Sequence, residues 1–317
     1  MKIVIAEPIG MCFSDLNEFI YNLENFGHEL IIFEARPEND IELLNRLREA
    51  EIAVVSNLPI SGEIIQQCSK LRLISVAFTG IDHIDVEQCK KQKIQICNAA
   101  AYSTLAVSEL TIGLILDVLR KTTELHSHTL NGGTRNQFLG TELSGKTVGV
   151  VGTGDIGGKV AEILIAFDCK VLAYSRTSKA KLMKIGVEYV DLDFLLNQSD
   201  IITLHIPHTS ETNLMFNKES FSKMKPASYF INTARGKVVD SQALAEALIS
   251  GKLSGAAVDV YEYEPPLQEN HPLLSAPNIV LTPHIAFATK EAIENRSKIV
   301  IHNILTWLDG KPENICL

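Results

Sequence analysis

Basic residues are in deficit. Lys and Arg number 29 against 38 Asp and Glu, a formal net charge of −9. No Lys/Arg block offers a footprint for phosphate backbones, which argues against a nucleic-acid partner. Long apolar runs are missing as well. Leu110–Leu119 is interrupted by Asp117 and falls short of the roughly 20 apolar residues that cross a bilayer, so no membrane association is expected. Met1–Ala6 reads as a short strand running into Glu7 and Pro8, not as a charged region followed by a cleavable apolar helix, so export is not expected either. The six cysteines, Cys12, Cys68, Cys89, Cys97, Cys169 and Cys316, show no CxxC spacing. Reduced, mostly buried thiols of a cytoplasmic chain follow, without a metal site or disulfide frame. Low-complexity tracts, tandem repeats and Ser/Gly linkers are also lacking, so structured crossings and not a tether should join any domains.

What is present is an alternation of strand-length apolar runs with helix-length amphipathic segments, the signature of α/β architecture with parallel sheets and crossover helices. The chain has 317 residues, 46% hydrophobic and 21% charged, a globular balance and a length suited to two domains. Strands are expected at Lys2–Ala6, Glu29–Phe33, Ile52–Val55, Leu73–Val76 and Ile94–Cys97, with helical segments around Ser14–Asn25, Asp40–Glu49 and Glu63–Cys68. These suffice for one doubly wound sheet. A long helical pattern runs from Ser103 to Leu130, and the strand pattern then restarts at Thr147–Val151, Lys170–Tyr174, Ile201–Leu204, Ser228–Asn232, Gly255–Asp259 and Ile279–Leu281. Lys290–Leu308 is a closing helix, with Ile293, Val300, Ile304 and Trp307 expected on its buried face.

Directly after Thr147–Val151 stands Gly152-Thr153-Gly154-Asp155-Ile156-Gly157, a GxGxxG inside a complete strand–turn–helix–strand unit. In a dinucleotide site Gly152 makes the tight turn, Gly154 lets backbone amides approach the pyrophosphate, and Gly157 lets the helix pack closely on the strand. The helix N-terminus adds N–H donors and partial positive charge for the phosphates. An NAD site carries an acidic residue on the ribose about 20 residues further on. That position holds Ser175, followed by Arg176 and Thr177. A hydroxyl and a guanidinium suit a 2′-phosphate better than a diol, so NADP is favoured over NAD.

Three later segments carry chemistry, and each follows a strand: Asn232-Thr233-Ala234-Arg235-Gly236, Asp259-Val260-Tyr261-Glu262-Tyr263-Glu264-Pro265, and Thr282-Pro283-His284-Ile285-Ala286. In open α/β sheets ligands bind beyond the carboxyl ends of strands, so the three can converge. An Arg, a Glu and a His are what reduction of a 2-keto acid needs. Arg binds a carboxylate or polarises a carbonyl, His protonates the forming alkoxide, and a carboxylate keeps that imidazole protonated and oriented.

With these segments, Phe78-Thr79-Gly80-Ile81-Asp82-His83-Ile84-Asp85, Ala106-Val107-Ser108-Glu109 and Leu204-His205-Ile206-Pro207 with Glu211-Thr212, the sequence resembles the D-isomer-specific 2-hydroxyacid dehydrogenases over nearly its whole length. That family contains glyoxylate/hydroxypyruvate reductases, glycerate dehydrogenases, phosphoglycerate dehydrogenases and D-lactate dehydrogenases. The resemblance implies Arg235 as substrate-binding arginine, Glu264 as carboxylate partner and His284 as acid/base. It makes the backbone of Thr79 and Gly80 the substrate-carboxylate loop. Thr233 then lies beside the nicotinamide, Asp259 contacts its amide, and Val107, Asp155, Ile156, Thr177, Pro207, Thr212 and His284 join the cofactor contacts. It implies two doubly wound parallel-sheet domains: a flavodoxin-like substrate domain of residues 1–100 and 287–317, and an inserted Rossmann nucleotide-binding domain of residues 101–286. Ser103–Leu130 resembles the family's interdomain helix, which implies a homodimer. Ser108 departs from the usual Ala, and His208 from an apolar residue. The implied activity is NAD(P)-dependent reduction of a small 2-keto acid, glyoxylate or hydroxypyruvate first, to a D-2-hydroxy acid. The alternatives are D-3-phosphoglycerate dehydrogenation and a non-enzymatic, dinucleotide-sensing corepressor-like role. His205 and His208 are expected to support the site without a catalytic part, and His83, His126, His128, His271 and His302 to be surface or packing residues.

Overall fold

The computed structural model describes residues 1–11, 17, 19–21, 23, 25–135, 137–264 and 266–317. Much of the helix expected at Ser14–Asn25, and Cys12 and Pro265, lie outside them. The chain divides into two compact units, Met1–Ser103 with Ala288–Leu317, and Thr104–Phe287. Among the described residues, no helix is long and apolar enough to cross a membrane.

The first unit carries β1 (Lys2–Ile5), β2 (Glu29–Ile32), β3 (Ile52–Val55), β4 (Leu73–Val76) and β5 (Gln95–Asn98) in one sheet ordered β2-β1-β3-β4-β5. All its pairings are parallel. The central strands IAVV and LISV are buried at every position, as expected of strands covered on both faces. Short polar side chains start the crossover helices: Asn39 accepts from Glu42 N–H and Asp85 from Gln88 N–H, satisfying amides that have no partner within the helix. On the closing helix Lys290–Leu308, Val300 and Ile304 join a core with Ile3, Ile5, Ile52 and Leu73. Ile293 and Trp307, expected beside them, are only partly buried, and Arg296 and Asn303 complete the buried face instead. Both polar residues are tied to backbone, Arg296 Nη2 donating to Ile9 O at 2.7 Å and Asn303 Nδ2 to Asn98 O at 2.9 Å.

The second unit departs from the expected pattern at its first helix. The pattern Ser103–Leu130 is two helices, Thr104–Arg120 and Thr122–Leu130. Lys121 breaks it with a left-handed φ of 52°, and Asp117 caps the new start, accepting from Thr122 Oγ1 and from Thr123 N at 2.9 Å. Apolar periodicity crosses such a break unaltered. The sheet contains β6 (Thr147–Val151), β7 (Lys170–Tyr174), β8 (Glu188–Tyr189), β9 (Ile201–Leu204), β10 (Ser228–Asn232), β11 (Leu253–Val258) and β12 (Ile279–Leu281), in the order β12-β11-β10-β9-β6-β7-β8. Its pairings are all parallel. β8, at two residues, is too short to show in a pattern. One face packs Val151, Leu204 and the clustered rings of Phe216, Phe221 and Phe230; the other packs Val148, Val150 and Val160 with Ile112 and Ile115. Strand order reverses at β6, which lies between β9 and β7. The turn after β6 is therefore the topological switch point, where α/β sheets bind ligands. Cys68, Cys89, Cys97 and Cys169 are buried free thiols, each pushed up to about 11 by burial.

Candidate active site

The glycine turn stands at that switch point. Gly152 has φ 92°, and a side chain there would strike the His205 carbonyl. A Cβ on Gly157 would overlap the Gly152 carbonyl, so the turn and the helix Asp155–Ala166 meet as closely as backbone allows. At Gly154, by contrast, a Cβ would meet nothing within 4 Å. Gly154 also begins the helix with no side chain capping it. Open space in front of uncapped amides at a helix N-terminus is what a diphosphate requires, and the residues present fit a dinucleotide. Ser108, fully buried, extends its hydroxyl to the Ile156 carbonyl at 3.4 Å. Val107 is buried on the same helix as Ser108, and Pro207 O accepts from Thr212 Oγ1 at 2.7 Å.

Beyond β7, Ser175 is partly buried and Arg176 and Thr177 are exposed. Two contacts escaped the sequence reading. Lys179 Nζ lies 3.8 Å from Asp155 Oδ1, setting a cation beside the only charged group of the glycine turn. The Tyr189 hydroxyl accepts from Lys179 N and donates to Thr153 Oγ1, both at 3.0 Å. Both join residues too far apart in the chain for a local pattern to reveal.

The structure unites the two later segments. His284 Nδ1 is 2.9 Å from Glu264 Oε1, and the His284 ring meets Phe287 edge-on at 5.6 Å. His284 has φ 54°, a left-handed conformation uncommon outside glycine. Asp259 fixes it there. Its carbonyl accepts from His284 N at 2.8 Å, and its carboxylate accepts from Thr282 Oγ1 at 2.6 Å and from Ile285 N and Ala286 N at 2.9 Å. Asp259 is fully buried, and burial raises its carboxyl above the usual range against these donors. The side chain expected at the nicotinamide amide thus holds the turn that carries His284. Tyr261 closes the same corner, donating to Thr282 O at 3.0 Å, and burial pushes its phenol up to about 12.

Arg235 begins the short turn Gly236–Val238, with Nη1 donating to Ala234 O at 2.8 Å and its own carbonyl accepting from Asn232 Nδ2 at 3.0 Å. Thr233 is buried, its hydroxyl 2.9 Å from that of Thr111. A side chain at Gly236 would overlap the Tyr261–Glu262 peptide, so the Arg235 turn lies directly on the loop leading to Glu264. In the first unit, Thr79 is exposed and Gly80 partly so, in the turn after β4, where Thr79 O accepts from Asn98 Nδ2 at 2.7 Å.

The fold is that of a nicotinamide-dinucleotide oxidoreductase, and its second unit holds a Glu–His pair in close contact. Residues 112–286 match the D-isomer specific 2-hydroxyacid dehydrogenase, NAD binding domain. The chain is 38% identical to glyoxylate reductase of Thermofilum pendens, over 89% of this chain and 86% of that protein. It is 33% identical to hydroxypyruvate reductase of Blautia hydrogenotrophica, over 99% of each. With D-3-phosphoglycerate dehydrogenase of Archaeoglobus fulgidus it shares 38% identity over 98% of its own length but spans only 58% of that protein. Among solved structures it superposes on an acyclic imino acid reductase in complex with NADPH and D-Arg (TM-score 0.91, 33% identity, 100% of each chain). It also superposes on D-lactate dehydrogenase from Aquifex aeolicus complexed with NAD and lactic acid (TM-score 0.85, 32% identity, 98% and 96% of the chains). The chain belongs to the D-isomer-specific 2-hydroxyacid dehydrogenase family, and its second unit is an NAD(P)-binding domain.

Proposed function

We propose that this protein reduces small 2-keto acids, glyoxylate and hydroxypyruvate foremost, to D-2-hydroxy acids, and that it prefers NADPH. The observation that carries the reading is the 2.9 Å contact between His284 Nδ1 and Glu264. With Nδ1 on the carboxylate, the ring is held in one orientation and Nε2 is the atom that delivers a proton to the forming alkoxide. Arg235 binds the substrate carboxylate or carbonyl through its planar fork. Gly154 and the amides of Ile156 and Gly157 hold the diphosphate, and the bound reduced nicotinamide supplies the hydride. The NADPH preference is supported by the run Ser175-Arg176-Thr177, which has no carboxylate. The two relatives named for glyoxylate and hydroxypyruvate reduction support the substrate class.

The test is a panel of initial rates with NADPH and NADH against glyoxylate, hydroxypyruvate, pyruvate and phosphohydroxypyruvate, with and without ammonium or methylamine. Fastest turnover of glyoxylate or hydroxypyruvate with NADPH is expected. Preference for NADH overturns the cofactor assignment, and turnover only in the amine mixtures makes the protein an imine reductase instead.

The same reading includes a homodimer. The helix Thr122–Leu130 has no buried residue, and Leu130 and Leu139 are 74% and 79% exposed. A helix this short is marginal in water without an apolar face to bury, and a second copy covers it in the commonest form of assembly. Light scattering should give twice the 34.9 kDa chain mass; a monomer at micromolar concentration contradicts it.

A further inference from the structure

Glu264 has 46% of its side chain exposed, and the residues leading to it from the end of β11, 259–264, have no regular structure of their own. A carboxylate so placed has many rotamers available, yet its proposed task demands one position relative to His284. Placement within a fraction of an ångström requires support from a rigid neighbourhood. Two residues earlier, Glu262 provides it. Its Oε2 accepts from Ser241 Oγ at 2.9 Å, at the start of the helix Ser241–Ile249, and its Oε1 lies 3.2 Å from His271 Nε2.

His271 is itself fixed. Its Nδ1 accepts from Leu273 N at 3.4 Å, capping the short turn Pro272–Ser275, and its ring meets Tyr261 edge-on at 6.0 Å and 87°. With Nδ1 accepting, Nε2 carries the proton that goes to Glu262. The His271 side chain is only 10% exposed, while Glu262 keeps 31%, so the imidazole end of this bond is enclosed. On its other side the Tyr261–Glu262 peptide is pressed by Gly236, where no Cβ fits. Tyr261 Oη reaches Thr282 O at 3.0 Å, at the root of the His284 turn. The Arg235 segment therefore meets the Tyr261–Glu262 peptide, the His284 segment meets the Tyr261 phenol, and Glu264 follows two residues after Glu262.

We propose that Glu262, clamped between Ser241 and His271, is a positioning residue that sets Glu264 against His284 and seats the Arg235 turn beside them. It touches neither substrate nor cofactor. The carboxylate lies between the serine and the imidazole, an order opposite to that of a nucleophilic triad, so Ser241 has no base and acts only as a donor. The inference rests on the catalytic reading of Glu264 and His284 and extends it to residues of the layer behind.

The test compares Glu262→Ala, Glu262→Gln, His271→Phe, Glu264→Gln and the double variant His271→Phe/Glu264→Gln. Each is measured for kcat and KM with glyoxylate, for NADPH dissociation constant by fluorescence, and for melting temperature. His271→Phe keeps the ring against Tyr261 and removes only the hydrogen bonds, so it covers the case in which Glu262→Ala does not fold. Misplacement of this kind lowers kcat by about 10- to 100-fold. That loss is expected in His271→Phe and Glu262→Ala with NADPH binding unchanged. Glu262→Gln, which still accepts from His271 and meets Ser241, should recover most of it. The double variant should be no slower than Glu264→Gln alone, since both changes remove the same placement. A folded His271→Phe with wild-type kcat, or losses that multiply in the double variant, overturns the proposal while leaving Glu264 its role. Wild-type kcat in Glu264→Gln overturns the catalytic reading, and this inference with it.

Discussion

Acid should loosen the NAD(P)-binding unit through His205. The residue is wedged behind the glycine turn: its N–H donates to Val151 O at 2.7 Å, its Cβ lies 2.9 Å from where a Gly157 side chain would begin, and its Nε2 is 3.0 Å from Thr203 Oγ1. Burial pushes the imidazole from 6.5 down to about 3. The folded chain therefore refuses a proton that the unfolded chain accepts below 6.5. The stability this confers is complete above 6.5 and declines as pH falls towards 3. Between pH 8 and pH 5 the loss is at most about 2 kcal/mol, and His205 as a residue is only partly buried, which lowers it to about 1–2 kcal/mol. Urea unfolding of wild type and His205→Gln at both pH values measures it. The variant, which keeps a hydrogen bond to Thr203 and cannot titrate, should lose about 1–2 kcal/mol less on acidification. An equal loss in both proteins would show that another group carries the acid sensitivity.

Replacing Arg176 by Ala should raise KM for NADPH by roughly 10- to 100-fold, the worth of a charge-assisted bond, and alter KM for NADH little. A parallel rise for both cofactors would remove Arg176 from the 2′-phosphate. The glycines should separate by function. Gly154→Ala has room for its methyl, so it should fold with a melting temperature near wild type and bind NADPH weakly. Gly157→Ala, whose Cβ would overlap the Gly152 carbonyl, should fold poorly, and comparable melting temperatures for the two would contradict this assignment.

Most strands were legible because buried parallel strands are continuous apolar runs: β6, β7, β9, β10 and β12 fall at the expected residues. β11 was misplaced by a residue or two, beginning at Leu253 and ending before Asp259, since Asp259 leaves the ladder to cap the His284 turn. The break at Lys121 was hidden because a single left-handed residue does not disturb apolar spacing. That a glutamate and a histidine of these segments would converge was legible from the residues, the choice of Glu264 came from resemblance, and the structure supplies the geometry. The Glu262–His271–Ser241 clamp was not foreseen. His271 read as a packing residue because hydrogen bonds between loops leave no period in a sequence, and the same holds for Lys179 against Asp155.

The proton transfer proposed for His284 is the central step. NADPH oxidation by glyoxylate and by hydroxypyruvate, measured in parallel for wild type and His284→Ala together with NADPH affinity, tests it. Turnover reduced by roughly 10²- to 10⁴-fold with cofactor affinity nearly intact is expected; near-wild-type turnover in the variant would contradict the role proposed for His284.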